Sequence, residues 1–198
     1  PGPVTDKLDC RDSGQAFSAG GRMTAPMRRH VRLAVAPGVL VAALAAELSR
    51  HMPVCVLAPG PLPCWESQGD RLAICRFWAP SKPLSQLNPL DPRDWLSIVR
   101  TLCSMRRQAL VLGRAEALQH CMALWVLPSG WTARLLHAKT GVPYSLWALG
   151  SDICSHGKHR LGRRMIRRVA RDASGCYADG FQLAADAGDI AGREFEFL

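Results

Sequence analysis

The chain has 198 residues, 48% of them apolar, and a formal charge of +9 at pH 7. That length builds one well-buried domain and excludes two large ones, and no stretch reaches the ~18 apolar residues that a bilayer-crossing helix needs. The charge points to a phosphorylated ligand, an anionic lipid or nucleic acid as partner, although an Arg-rich surface with no such partner gives the same total.

Residues 1–30 are rich in Gly, Pro, Ser and charge without a period, and read as a leader that is disordered or foreign to the fold. Residues 32–36 read as a first strand and Pro37-Gly38 as a turn. Residues 39–50 read as a helix with Leu40, Leu44 and Leu48 on one face. The apolar stretch 33–46 behind Met27-Arg28-Arg29 has the look of a signal-peptide core. Pro37-Gly38 interrupts it, however, and the helical pattern runs on through Glu47 and Leu48. Pro53 stops the helix and residues 54–58 follow as a buried strand. The turn between the two strands lacks G-x-G-x-x-G, so it carries no dinucleotide fingerprint.

Residues 59–70, with three prolines, read as a loop, 72–78 as a strand and 79–92 as a longer loop. Asp94 is placed to cap a helix running to about Glu116, with Trp95, Ile98, Leu102 and Met105 as its core stripe.

Residues 121–126 form a short strand, apolar on both faces, as in a covered parallel sheet. Ser129 is placed to cap the next helix, whose buried face reads as Trp131, Leu135 and Ala138. Gly141 suits a left-handed C-cap, and Pro143 forbids continuation. Residues 144–149 are the next strand, ending in Gly150-Ser151-Asp152. Strand, helix and strand make a βαβ unit. The turns 128–130 and 150–152 therefore lie at the carboxyl ends of parallel strands, where open α/β sheets bind ligands. Ser129 and Gly130 offer backbone N–H groups to an oxygen or a phosphate. Trp131 offers a flat ring for stacking on a ligand, and Asp152 a carboxylate that accepts hydrogen bonds. Capping for Ser129 and Asp152, and core packing for Trp131, are the structural readings of the same residues.

Residues 158–171 set seven Lys and Arg around Leu161, Met165 and Val169, widened by Ile166 and Ala170. This is an amphipathic helix whose Arg163, Arg164, Arg167 and Arg168 face solvent, an anionic membrane or an anionic ligand. Residues 174–177 read as a short strand, Asp179 opens a last helix, and 193–198 is an edge or incoming strand that reads as if more chain followed. The fold expected is α/β, a Rossmann-like and mainly parallel sheet with helices on both faces. Gly38, Ser129 and Asp152 should share one sheet edge.

Of eight cysteines, no two form Cys-x-x-Cys. Cys55, Cys75 and Cys121 sit in apolar runs as small hydrophobes, which suits a reduced cytosolic protein rather than a disulfide framework. Cys154, His156 and His159 lack a zinc spacing, so no metal is expected. The basic residues lack interleaved aromatics, which makes nucleic acid the weakest candidate partner.

Trp125, Pro128-Ser129-Gly130, Thr140-Gly141-Val142-Pro143 and Gly150-Ser151-Asp152-Ile153, in that order, resemble the N-terminal half of GT-B glycosyltransferases of the group-4 type. A weaker likeness extends over about 38–198. The resemblance implies that residues 31–198 are an acceptor-side domain. The nucleotide sugar would be held by a C-terminal domain absent from this chain, which would then show no turnover alone. It implies a saccharide or lipid-linked acceptor, no cofactor, and a cytoplasmic location, peripheral on the inner face of the membrane. It assigns a catalytic role to Asp152 and substrate contact to Gly38, Ser129, Gly130, Trp131, Gly150 and Ser151. The chain departs from the family at Met122 and Leu149, where His is frequent, and at Gly38, which stands without a second glycine. The competing reading is a non-catalytic α/β binding module that docks its basic helix on an anionic membrane or partner.

Overall fold

Eight strands join into one sheet in the order β3-β4-β2-β1-β5-β6-β7-β8 in the computed structural model. It describes residues 31–35, 39–82, 86–87, 91–115 and 118–198; the leader 1–30 and Gly38 lie outside the described residues. The elements are β1 (Val31–Val35), α1 (Val39–His51), β2 (Val54–Gly60), β3 (Trp65–Gln68), β4 (Leu72–Trp78), α2 (Pro92–Ala115) and β5 (Leu118–Leu124). They continue with α3 (Ser129–Thr140), β6 (Tyr144–Ala148), α4 (Ser151–His156), α5 (Arg160–Arg171), β7 (Gly175–Ala178), α6 (Phe181–Ala191) and β8 (Glu196–Phe197). Neighbouring strands are parallel except for β3, which runs antiparallel to β4.

The period-two alternation of each strand sorts the core into two layers. Val54, Val56 and Ala58 of β2 face α1, where Val41 and Ala45 meet them. Cys55 and Leu57 face the opposite layer, built from α2, α3, α5 and α6 through Met105, Leu112, Leu136, Ile166, Val169 and Ala187. Helices thus cover both faces, as the sequence pattern requires. No disulfide joins two of the described cysteines, and burial pushes the Cys75 and Cys121 thiols up to about 12, so they pack as apolar groups.

Several boundaries differ from the sequence expectation. The loop expected over 59–70 contains β3, a short strand tied to β4 by Arg76, whose Nε lies 2.9 Å from Glu66 Oε1. β5 begins at Leu118 and ends at Leu124 rather than Val126, because Trp125 takes φ 69° and turns the chain out of the sheet. The cap of α2 is Asp91, whose Oδ1 accepts from Arg93 N–H at 2.9 Å. Asp94, the expected cap, lies within the first turn and pairs with Lys82 instead. The expected core stripe of α2 is only half core: Met105 is buried, but Trp95 and Leu102 point outward. The buried face of α3 is Gly130, Ala133 and Leu136; of the expected face, Trp131 packs half-buried against the core, Leu135 is half-buried and Ala138 is exposed. Pro128 precedes α3 and no side chain caps it, so Ser129 is its first helical residue rather than its cap.

Candidate functional site

The carboxyl ends of β5 and β6 bring the two sequence-predicted turns together. Trp125 N–H donates to Trp147 C=O at 2.9 Å, which extends the β5–β6 pairing to the rim. The chain then turns at Trp125 and enters α3. Gly130 N–H donates back to Trp125 C=O at 3.2 Å, so it is not free for a ligand as the sequence suggested. Gly130 has a packing role instead. A Cβ there would lie 2.7 Å from Leu146 Cδ2 and 2.9 Å from Val169 Cγ1, and only glycine lets α3 settle onto β6 and α5.

β6 ends at Ala148, and the chain turns at Gly150, whose φ of 102° favours glycine. Ser151 and Asp152 open α4, and Ser151 is exposed. Asp152 is only 3% exposed. Its Oδ2 accepts the Val126 N–H at 2.5 Å, a bond that ties the β6–α4 turn to the β5–α3 turn. Burial raises its pKa above the ordinary carboxylate value, against the lowering effect of the backbone N–H groups around it. Its Oδ1 is buried without a partner. Nε1 of Trp147, the next-to-last residue of β6, is the second such atom among the described residues. One end of β6 therefore holds an unsatisfied acceptor and an unsatisfied donor.

Trp131 is half-buried against the core, with the Arg134 guanidinium 5.6 Å from its ring. Arg134 Nε lies 2.7 Å from Asp172 Oδ2. Gly38 lies outside the described residues. Met122 and Leu149 are half-buried apolar side chains, so no imidazole stands at the rim through them. The imidazole on this part of the sheet is His120, whose Nε2 lies 3.0 Å from Ser145 Oγ. It sits in mid-strand, on the face that Met122 and Leu124 share. Sequence reasoning missed Trp147 as a rim residue, because strand alternation puts an indole in a sheet without saying whether its N–H finds an acceptor. Among the described residues no three His, Cys, Asp or Glu side chains converge to hold a metal ion.

The four arginines predicted to face an anionic surface, Arg163, Arg164, Arg167 and Arg168, are exposed on α5. Arg167 is partly engaged, its Nε donating to Ile190 C=O at 2.9 Å. The apolar residues Ile166, Val169 and Ala170 are spent on the core, and Leu161 alone of the predicted stripe is strongly exposed, at 70%.

A sequence model described as a glycosyl transferase 4-like domain matches residues 35–194. No curated protein matches the chain. Among solved structures it is similar to UGT2 of Phytolacca americana, solved with UDP-2fluoro-glucose and pterostilbene, at 14% identity and TM-score 0.51, over 86% of this chain and 53% of that one. It is also similar to an α,α-trehalose-phosphate synthase (UDP-forming) from Burkholderia vietnamiensis, at 11% identity and TM-score 0.54, over 81% and 42%. A third is Arabidopsis thaliana UGT89C1 with quercetin, at 13% identity and TM-score 0.50, over 84% and 47%. At these identities the likeness is one of fold. The chain spans about half the length of the solved structures it matches.

Proposed function

The chain belongs to the glycosyl transferase 4-like domain family, and from that premise we propose that it is the acceptor-side half of a GT-B glycosyltransferase. In this reading a second domain outside the chain holds the nucleotide sugar. The rim of β5 and β6 receives a saccharide or lipid-linked acceptor, with no metal or organic cofactor. Helix N-termini and basic side chains supply the positive charge that a leaving phosphate needs.

The observation that carries the proposal is the pair of orphaned atoms at the end of β6. Asp152 Oδ1 lacks a donor and Trp147 Nε1–H lacks an acceptor. A buried polar atom without a partner costs on the order of 1–3 kcal/mol, and a ligand hydroxyl, which both donates and accepts, relieves either one. Asp152 is the catalytic-side residue of the proposal. Its Oδ2 fixes the β5–α3 turn through Val126, and its Oδ1 takes the acceptor hydroxyl when that turn opens. Ser129, Trp131, Gly150 and Ser151 line the approach. Gly130 contributes by packing α3 close to β6, and Gly38 belongs to the same proposed rim. The arginines of α5 hold the domain against the anionic inner face of the membrane.

The test is an NMR titration of the 198-residue chain with a panel of mono- and oligosaccharides, and separately with UDP-glucose. Saccharide should shift the amides of Ser129, Trp131 and Ser151 and the indole N–H of Trp147. UDP-glucose should leave them in place, and no UDP should be released. Saturable UDP-glucose binding at that rim, or turnover by the chain alone, would overturn the proposal.

A further inference from the structure

Helix α2 packs on the sheet through Thr101, Met105, Ala109 and Leu112, each at most 2% exposed. The opposite face of such a helix is ordinarily polar. Over the first three turns of α2 it is apolar instead. Trp95, Leu96, Val99 and Leu102 are 60%, 77%, 52% and 36% exposed, and exposed Cys103 continues the row. At 3.6 residues per turn these five fall within about 120° of arc. Arg93, Arg100 and Arg107 border the row on one side, and Arg106 stands in line beyond its end. The one acid of the helix, Asp94, is bound to Lys82 at 3.3 Å.

We propose that this stripe is a seat for an anionic lipid bilayer. The apolar side chains enter the acyl boundary and the bordering arginines take lipid phosphates, which is the composition of an interfacial helix. Charge selects the occupant. A second copy packed on the stripe would bring Arg93, Arg100, Arg106 and Arg107 against the same four cations, whereas an anionic surface neutralises them.

The rest of the sheet face agrees. α2, α3 and α5 lie side by side on it, and α3 and α5 carry Arg and Lys without any acid. α5 adds attraction but little insertion, because Ile166, Val169 and Ala170 are buried in the core. Of these three helices, α2 is the one whose described residues present a continuous apolar row outward. The later part of the row lies level with the end of β4, where the Arg100 guanidinium is 4.1 Å from the Trp78 ring and Trp78 N–H donates to Ser104 Oγ at 2.8 Å. That is the same sheet edge as the turns after β5 and β6, so a bilayer seated on α2 lies beside the proposed acceptor rim. The inference deepens the membrane part of the proposed function. It fails separately from the transferase reading, because α2 contributes no residue to the rim and the saccharide titration uses no lipid.

The experiment is co-sedimentation of the 198-residue chain with vesicles of phosphatidylglycerol and phosphatidylcholine in equal parts, and with pure phosphatidylcholine. The wild type is compared with the combined variant Leu96→Asp, Val99→Asp and Leu102→Asp, whose sites are exposed; circular dichroism and thermal unfolding confirm its fold. The wild type should bind the anionic vesicles at least tenfold more tightly than the variant. It should also keep residual binding at about 0.5 M salt, where electrostatic attraction alone is screened. Lipids brominated high on the acyl chain should quench the wild-type tryptophan fluorescence, and Trp95→Phe should remove most of that quenching. Equal binding by wild type and variant, or no binding by the wild type, overturns the proposal. So does a concentration-dependent dimer that the variant abolishes, since a second copy would then be the occupant.

Discussion

Asp152 and Asp172 follow neighbouring elements of the same half of the sheet and titrate in opposite directions. Burial raises the Asp152 carboxyl against the pull of nearby backbone N–H groups. Burial also acts to raise Asp172, but hydrogen bonds from Arg171 and Arg134 outweigh it and hold that carboxyl below its ordinary value. By linkage, the Asp152 contribution is complete below the ordinary carboxylate pKa and is lost as pH rises through the raised one. The Asp172 contribution is present above the ordinary pKa and is lost as pH falls through the lowered one. The stability gap between wild type and Asp152→Ala should therefore be widest in acid and narrow toward neutral pH. The gap for Asp172→Asn should be present at neutral pH and close in acid. Denaturant unfolding across pH reads both, and parallel profiles for the two variants would contradict the assignment. Asp152→Ala also strips the acceptor from the buried Val126 N–H, a loss of about 1–3 kcal/mol, and Asp152→Asn, which keeps an acceptor oxygen, should cost less. At Gly130 an added Cβ meets Leu146 and Val169 side chains, so Gly130→Ala should destabilise by about 1–3 kcal/mol in the same assay.

Between elements, one glycine sets how closely α2 meets α3. A Cβ at Gly113 would fall on Leu136 Cδ1, closer than two atoms can sit, with Thr140 Cγ2 at 3.2 Å. Alanine gains about 1 kcal/mol of helix propensity over glycine, and overpacking costs about 1–3 kcal/mol. Gly113→Ala should therefore be neutral to destabilising by up to about 2 kcal/mol, and a gain in the unfolding midpoint would show that α2 can step away from α3. α5 is fixed differently: Tyr144 O–H donates to Val169 C=O at 2.6 Å, and Val169 and Ala170 are fully buried. Its outward face is left with charge and little apolar surface. Changing Arg163, Arg164, Arg167 and Arg168 together to Glu should reduce the salt-sensitive part of anionic-vesicle binding and leave the part that survives about 0.5 M salt. Unchanged binding at low salt would leave α5 as a solvated outer face.

At the scale of the whole molecule, the chain spans about half the length of the structures that share its fold. A sheet covered on both faces gives it a core of its own through two apolar layers. Function in the proposed reading needs both halves of a cleft. Transfer from a nucleotide sugar should thus be undetectable with this chain alone and appear only when a nucleotide-sugar-binding domain is joined to it. A coupled assay for UDP release measures the difference, and release by the chain alone would contradict the division of labour.

The sequence by itself determined the alternation of short apolar runs and helical stripes, and from it the parallel sheet and its strands at 54–58, 72–78 and 144–149. Those strands are bounded by local chemistry: Pro53 before one, Pro143 before another, and Gly150 closing the last. It also located the two rim turns, since their glycines and Pro128 are local signals. Tertiary structure decided what local pattern leaves open. The antiparallel β3 depends on Arg76 reaching Glu66 across the hairpin. The end of β5 depends on a left-handed Trp125, held there while Asp152 grips Val126 from another connection. The faces of α2 and α3 were misread because periodicity marks an apolar stripe but not which side meets the sheet. α2 meets the sheet through Thr101, Met105, Ala109 and Leu112, which leaves Trp95 and Leu102 as exposed surface, and Gly113 and Gly130 sit where α2 and α3 pack closely.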